Sequence, residues 1–197
     1  MSHYFTDNSE MHHNRKEITF RFLGINYSFV TDAGVFSRDS VDFGTALLIE
    51  TACEKGLSGK RVLDLGCGYG PVGIVLHKAL QAEALALDIN PRATELTKEN
   101  AMRNNCSIRV DTADGIATDE CFDDILVNPP IRAGKEVIYR LFAQAYEHLY
   151  PQGCLWVVIR KQQGAFSAQK ELERIFSNSE ILARKKGYLI IRCQKQN

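Results

Sequence analysis

The run Val62-Leu-Asp-Leu-Gly-Cys-Gly-Tyr-Gly-Pro-Val-Gly73 constrains this chain more than any other, because it reads as a buried strand passing through a glycine-rich turn into a helix. Gly66, Gly68 and Gly70 alternate where the backbone must turn sharply and come close to another group. Pro71 suits the first helical position, where its missing N–H is one of the unpaired donors anyway. Asp64 sits inside the apolar strand, two residues before the first glycine. A carboxylate there needs a partner, either backbone N–H groups of the turn or a cationic ligand.

The same alternation continues downstream. Apolar runs predict strands over 61–65, 83–88, 108–110, 122–127 and 154–159, with helices over 71–80, 91–103, 136–150 and 166–176. Asn90 reads as a helix cap and Pro91 as the first helical residue. Runs 181–184 and 188–193, joined through Lys186-Gly187, predict a terminal antiparallel pair. Upstream, 1–16 reads as a loose arm, 17–23 and 27–30 as a β-hairpin, and 41–53 as a helix capped by Asp39 or Ser40. The expected fold is α/β: an open, doubly wound, mostly parallel, Rossmann-like seven-stranded sheet with a C-terminal antiparallel strand pair and an N-terminal β-hairpin extension. At 197 residues it is expected to form one domain, 1–40 the arm and hairpin and 41–197 the α/β core. Such sheets bind ligands beyond the carboxyl ends of their strands, which here are the loops 66–70, 88–91, 111–115 and 128–135.

Composition narrows the classes. Lys plus Arg and Asp plus Glu are 24 each, so overall charge gives no push toward nucleic acid. Any RNA contact must come from local basic runs: Arg15-Lys16, Arg132 with Lys135, Arg160-Lys161 or Arg184-Lys185-Lys186. Six scattered cysteines without a CxxC pair predict reduced thiols and no metal site. His12-His13 has no third ligand nearby. No apolar run approaches the ~20 residues of a membrane span. No secretory signal is visible at the start, so a cytosolic location and no membrane partner are expected.

Gly68-Tyr-Gly-Pro-Val-Gly73 satisfies GxGxxG, and Asp88 lies 20 residues beyond Gly68 at the end of the next strand, which also suits a dinucleotide. An acid there accepts hydrogen bonds from ribose hydroxyls, so it marks a nucleoside rather than NAD alone. Asp64 separates the two, because it would repel a pyrophosphate and attract an ammonium-bearing ligand. The string Asp-Leu-Gly-Cys-Gly-Tyr-Gly resembles the first motif of class I S-adenosylmethionine-dependent methyltransferases. That resemblance implies S-adenosylmethionine as cofactor, with Gly66, Cys67 and Gly68 lining its methionine portion and Asp64 near its amino group. It also implies Asp88 on the ribose, Ile89 on the adenine, and Asp114 with Gly115 at the adenine amino edge; by its local sequence Asp114 equally suits an Asx-turn.

Asn128-Pro129-Pro130 resembles the (N/D)PP(Y/F) motif of methyltransferases acting on planar amino groups. The chemistry is specific: such a nitrogen has a delocalised lone pair, and acceptors from the Asn side chain and the Pro129 carbonyl pull it toward sp³ geometry and aim it at the methyl. Prolines fix those acceptors. Ile131 replaces the usual aromatic, and Arg132 and Lys135 in the same loop could meet phosphates. Phe36-Ser-Arg-Asp-Ser-Val-Asp-Phe-Gly-Thr45, the glycine turn, Asp88-Ile-Asn-Pro-Arg-Ala93 and Asn128-Pro-Pro together resemble the MTS-type small-subunit ribosomal RNA guanine-N2 methyltransferase group. The resemblance implies guanine N2 as acceptor, ribosomal RNA or the small ribosomal subunit as partner, and contacts from Phe36, Asp42 and Thr45 to the methionine end. Longer members carry a second, degenerate copy that helps with RNA; with one copy here, docking is left to the N-terminal hairpin, a partner subunit or a different substrate. Protein glutamine, a small-molecule amine, and a non-catalytic S-adenosylmethionine- or RNA-binding module are the alternatives.

Overall fold

The computed structural model describes residues 12–197; of the arm expected over 1–16, residues 1–11 lie outside the described residues. Strands β1 (Lys16–Phe22) and β2 (Ile25–Thr31) form an antiparallel hairpin turning at Leu23-Gly24. The core then runs α1 (Phe43–Lys55), β3 (Arg61–Leu65), α2 (Pro71–Leu80), β4 (Glu83–Asp88), α3 (Pro91–Arg103), β5 (Arg109–Thr112), β6 (Phe122–Val127), α4 (Lys135–Glu147), β7 (Leu149–Arg160), α5 (Ala165–Phe176), β8 (Glu180–Lys185) and β9 (Tyr188–Gln194). Seven strands make one sheet in the order β5-β4-β3-β6-β7-β9-β8. The pairs from β5 to β7 are parallel, and β9 runs antiparallel to both β7 and β8. This is the expected Rossmann-like sheet with its terminal antiparallel pair.

Two apolar clusters sandwich the sheet, because its central strands are buried on both faces. Leu63, Ile125, Leu155 and Val157 face α4 and α5, while Val62, Leu126, Trp156 and Val158 belong to the cluster that holds α1, α2 and the hairpin. Period-two alternation along each strand produces this division.

The hairpin is tied to α3 by two side-chain amides acting as a substitute strand. Asn100 accepts from Val30 N–H (2.7 Å) and donates to Val30 C=O (2.9 Å), and Asn104 pairs Ser28 N–H and C=O in the same way (3.1 and 2.8 Å). The spacing fits: four helical residues rise about 6 Å, close to the two-residue repeat of a strand. Asn100 also donates to Tyr69 C=O (2.9 Å), and Phe29 meets the Tyr69 ring edge-on at 5.7 Å, so the hairpin braces the glycine turn. The arm is tied as well: Asp32 is held by His13 Nδ1 (2.5 Å) and Asn14 N–H (2.6 Å).

Asn100→Leu therefore leaves three buried backbone groups without partners, and we expect it to cost about 3 kcal/mol or more. Urea unfolding with an unchanged m-value measures this. A loss below about 1 kcal/mol, the lower end for a buried unsatisfied group, contradicts the bracing role.

Most boundaries shift by one or two residues, with β1 and β2 at 16–22 and 25–31 rather than 17–23 and 27–30 and α1 at 43–55 rather than 41–53, and three more differences fall at the end of α4, at β5 and at the cap of α1. The helix expected to reach 150 stops at Glu147, and Leu149 already pairs with Phe122 as the start of a twelve-residue β7. Leu149 continues the helical apolar spacing, which hides the change; Gln152 then bulges out at φ 68° before the regular ladder resumes at Cys154. β5 occupies 109–112 rather than 108–110. Asp42 caps α1, accepting from Gly44 N–H (2.9 Å) and Thr45 N–H (3.2 Å), in place of Asp39 or Ser40.

Candidate functional site

From β3 the chain winds outward through β4 and β5, then returns to β6 on the other side of β3, so the order of strands reverses between β3 and β6. A crevice opens at such a reversal. Leu65 pairs with Val127, which makes Gly66 and Asn128 the first residues beyond the strands on its two sides.

The glycine turn folds over the end of β4. Gly66 and Cys67 both donate their N–H to Leu87 C=O (2.8 and 3.0 Å), and Gly68 N–H donates to Asp88 Oδ2 (2.9 Å). Two of its glycines serve different ends. At Gly70, φ 88°, an added Cβ would lie 2.7 Å from Thr97 Cγ2, so this glycine lets α3 pack closely. At Gly66, φ 75°, an added Cβ meets nothing within 4 Å. Gly66 thus leaves an open cradle at the crevice and answers no packing need.

Two carboxylates stand beneath and beside that cradle. Asp64 is buried and accepts one hydrogen bond, from Gly73 N–H at 2.9 Å, the backbone partner that was one of its two expected possibilities. Burial raises its pKa to about 7, with Gly73 N–H opposing and the charge of Asp88 adding to the rise. Asp88 is also pushed up by burial, against N–H bonds from Asn90 and Gly68. Cys67 is a buried thiol pushed well up by burial, its Sγ 3.5 Å from Thr97 Oγ1.

Across the crevice, Asn128 Nδ2 donates to Thr45 Oγ1 (3.0 Å), and the structure records no partner for Asn128 Oδ1 among the described residues. Thr45 is buried in the first turn of α1, whose cap Asp42 also accepts from Tyr188 OH at 3.3 Å. The Tyr188 ring needs Gly44, where a Cβ would approach it to 2.6 Å. The orientation of Asn128 by Thr45 and the Tyr188 bond to Asp42 carry no local sequence signal, since they join residues 83 and 146 positions apart. Pro129 is buried and Pro130 half-buried, while Ile131 packs into the core beside α4 rather than facing outward.

The remaining predicted residues spread along the same edge. Phe36 (54% exposed) and Ile89 (37%) are exposed large apolar side chains near the turn. Asp114 is engaged by Arg140 of α4 through two bonds (2.7 and 3.2 Å), and Gly115 lies against Gln144. Arg132 and Lys135 are exposed beyond Asn128. Among the described residues no three His, Cys, Asp or Glu side chains group to hold a metal, and no helix is long and apolar enough to cross a membrane.

The strand order, the open glycine turn and the two acids define a Rossmann-like fold of the methyltransferase type. The profile of the methyltransferase small domain family (MTS) matches residues 26–192, and the chain belongs to that family. It is 39% identical to the uncharacterized protein YbxB of Bacillus subtilis over 98% of both chains. It is 34% identical to ribosomal RNA small subunit methyltransferase C of Stutzerimonas stutzeri over 81% of this chain and 48% of that protein. It is 32% identical to ribosomal RNA large subunit methyltransferase G of Alcanivorax borkumensis over 88% and 46%. A T. thermophilus 16S rRNA N2 methyltransferase solved with AdoMet and guanosine superposes with a TM-score of 0.85 at 25% identity, covering 92% of this chain and 51% of that one. The chain thus spans about half the length of the ribosomal RNA methyltransferases it resembles.

Proposed function

We propose that this protein is an S-adenosylmethionine-dependent methyltransferase acting on an exocyclic amino nitrogen, with guanine N2 of small-subunit ribosomal RNA as the acceptor. The observation that carries the reading is Asn128: Thr45 occupies its amide N–H and leaves its carbonyl oxygen as an acceptor, at the crevice faced by the open Gly66 cradle. An acceptor is what a planar amine needs to be drawn toward sp³ geometry.

The chain's own groups fit the cofactor. Asp88 accepts from the N–H groups of Gly68 and Asn90 on different oxygens, with Ile89 N–H also acting on it, and as a carboxylate keeps lone pairs for ribose hydroxyls. Asp64, poised near neutrality, becomes a full anion beside a cationic ligand. On this reading Gly66, Gly68 and the backbone of Cys67 would line the methionine portion, Phe36 and Asp42 would close on it from the α1 side, and exposed Ile89 would offer an apolar face for adenine. Asp114, held by Arg140, and Gly115 would meet the adenine amino edge. When bound, the cofactor supplies an electrophilic methyl on a positively charged sulfur. Asn128 and the Pro129 carbonyl hold the attacking amine by its N–H bonds, and its proton becomes acidic once the nitrogen is alkylated, so no dedicated base is required. Positioning and charge placement carry the rate.

The second reading is a glutamine amide of a protein or a small-molecule amine, favoured by Ile131, which packs inward and puts no ring after the motif. We expect isothermal titration to show micromolar S-adenosylmethionine binding, of order 8 kcal/mol, and no NAD binding. The reverse result overturns the assignment. Nucleoside profiles of ribosomal RNA from cells with and without the protein separate the acceptors: a lost N2-methylguanosine supports the first reading, and an unchanged profile supports the second.

A further inference from the structure

Of the four basic runs in the sequence, two are brought together only by the fold. β7 and β9 pair so that Arg160 lies opposite Tyr188, and Lys161 N–H donates to Gly187 C=O at 2.9 Å. β8 ends at Lys185, also opposite Tyr188. Arg160, Lys161, Arg184, Lys185 and Lys186 therefore share one corner of the sheet, and all five are exposed.

That corner belongs to the carboxyl edge, the edge of the crevice. β7 is the parallel neighbour of β6, and Arg160 lies three residues past Val157 just as Pro130 lies three past its partner Val127. Lys186 Nζ sits 4.8 Å over the ring of Phe43, next to the Asp42 cap, and the Arg160 guanidinium sits 5.0 Å over Tyr188, whose hydroxyl reaches that cap. Aromatic faces hold these cations in place without neutralising them.

The run on the hairpin differs. Arg15 pairs with Glu99 and Lys16 with Asp39, so the hairpin's basic run is matched by carboxylates. In the corner, the one carboxylate contact recorded among the described residues is the loose Lys185–Glu50 pair at 3.6 Å. A chain with balanced total charge has thus kept an uncompensated cationic surface beside its crevice. Exposed Phe166 opens α5 just beyond Lys161 and adds a face on which a base can stack.

We propose that this corner, and not the N-terminal hairpin, grips the phosphate backbone of RNA next to the nucleotide presented to Asn128. The inference rests on the methyltransferase reading above and names where its RNA docks. Phosphates suit the surface because its cations are spread over two connected elements and, Lys185 apart, have no recorded acidic partner among the described residues.

The test is the triple variant Lys161→Gln, Arg184→Gln, Lys186→Asn, which spares Arg160, whose ring partner Tyr188 bonds the Asp42 cap, and the paired Lys185; Asn suits the left-handed position of Lys186 (φ 47°). Binding of a ribosomal RNA fragment that the wild-type protein methylates is measured against salt. We expect the variant to bind at least tenfold more weakly at 100 mM salt, with a log–log salt slope smaller by about 2, the value for three lost single-strand phosphate contacts. S-adenosylmethionine affinity and melting temperature stay as in the wild type. Arg15→Gln with Lys16→Gln should leave RNA binding within twofold. Wild-type RNA affinity in the triple variant, or a larger loss in the hairpin variant, overturns the docking site alone. A wild-type protein that methylates no ribosomal RNA but does methylate a protein or small amine overturns the underlying reading and the docking site with it.

Discussion

Asn128→Ala is expected to lower kcat on the order of a thousandfold while leaving S-adenosylmethionine affinity within twofold. The side chain stands on the β6 side of the crevice, an amide N–H donated to Thr45 and its oxygen without a recorded partner among the described residues, so on the proposed reading its removal deletes an acceptor for the incoming amine and nothing that holds the donor. An amine nitrogen conjugated to a ring gains nucleophilicity only when pulled out of conjugation, and this interaction strengthens toward the transition state. Loss therefore falls on kcat rather than on binding. Thr45→Val keeps the shape of Thr45 but cannot accept from Asn128, and should show a smaller loss of the same kind, about tenfold or more for freed orientation. Thr45→Ser restores it. Single-turnover transfer and cofactor titration measure the two quantities separately. Equal losses of affinity and rate in Asn128→Ala would place Asn128 in the donor site instead and sink the division of labour.

Much of this arrangement was legible in the sequence because it is local. The strand, glycine turn and helix around Gly66, the Asn90 cap followed by Pro91, and the Lys186-Gly187 turn each depend on residues within a few positions, and each lies where expected. The sheet followed from strands alternating with helices. What stayed hidden is long-range or ambiguous by period. Leu149 fits a helical stripe as well as the start of β7, and only pairing with Phe122 decides. Asp39, Ser40 and Asp42 are all competent caps, and Tyr188, arriving from the last strand, sits against the one that is used. The partner of Asp114, in the loop after β5, is Arg140 of α4. The convergence of Arg160-Lys161 with Arg184-Lys185-Lys186 likewise depends on β9 inserting between β7 and β8.

Asp64→Asn should make the empty protein more stable and the enzyme worse. Asp64 is buried with a pKa near 7, against about 3.9 in an unfolded chain. Between those values the folded state binds the extra proton, so stability falls as pH rises from about 4 to 7, and the full penalty stands above pH 7. Three units correspond to an upper figure of about 4 kcal/mol. An asparagine oxygen can still accept from Gly73 N–H while carrying no charge. We expect Asp64→Asn to gain about 2 kcal/mol at pH 8, to gain little at pH 5, and to flatten the unfolding profile between them. A natural carboxylate kept at such a cost implies a ligand that repays it, and an ammonium or sulfonium charge next to Asp64 does so by drawing out its proton. Cofactor affinity in the wild type should then rise between pH 6 and 8 with release of a proton, visible as a dependence of binding heat on the buffer. In Asp64→Asn both the rise and the release vanish, and affinity at pH 8 drops by tenfold or more. An Asp64→Asn protein that binds S-adenosylmethionine as tightly as the wild type would mean that the buried acid serves the glycine turn alone.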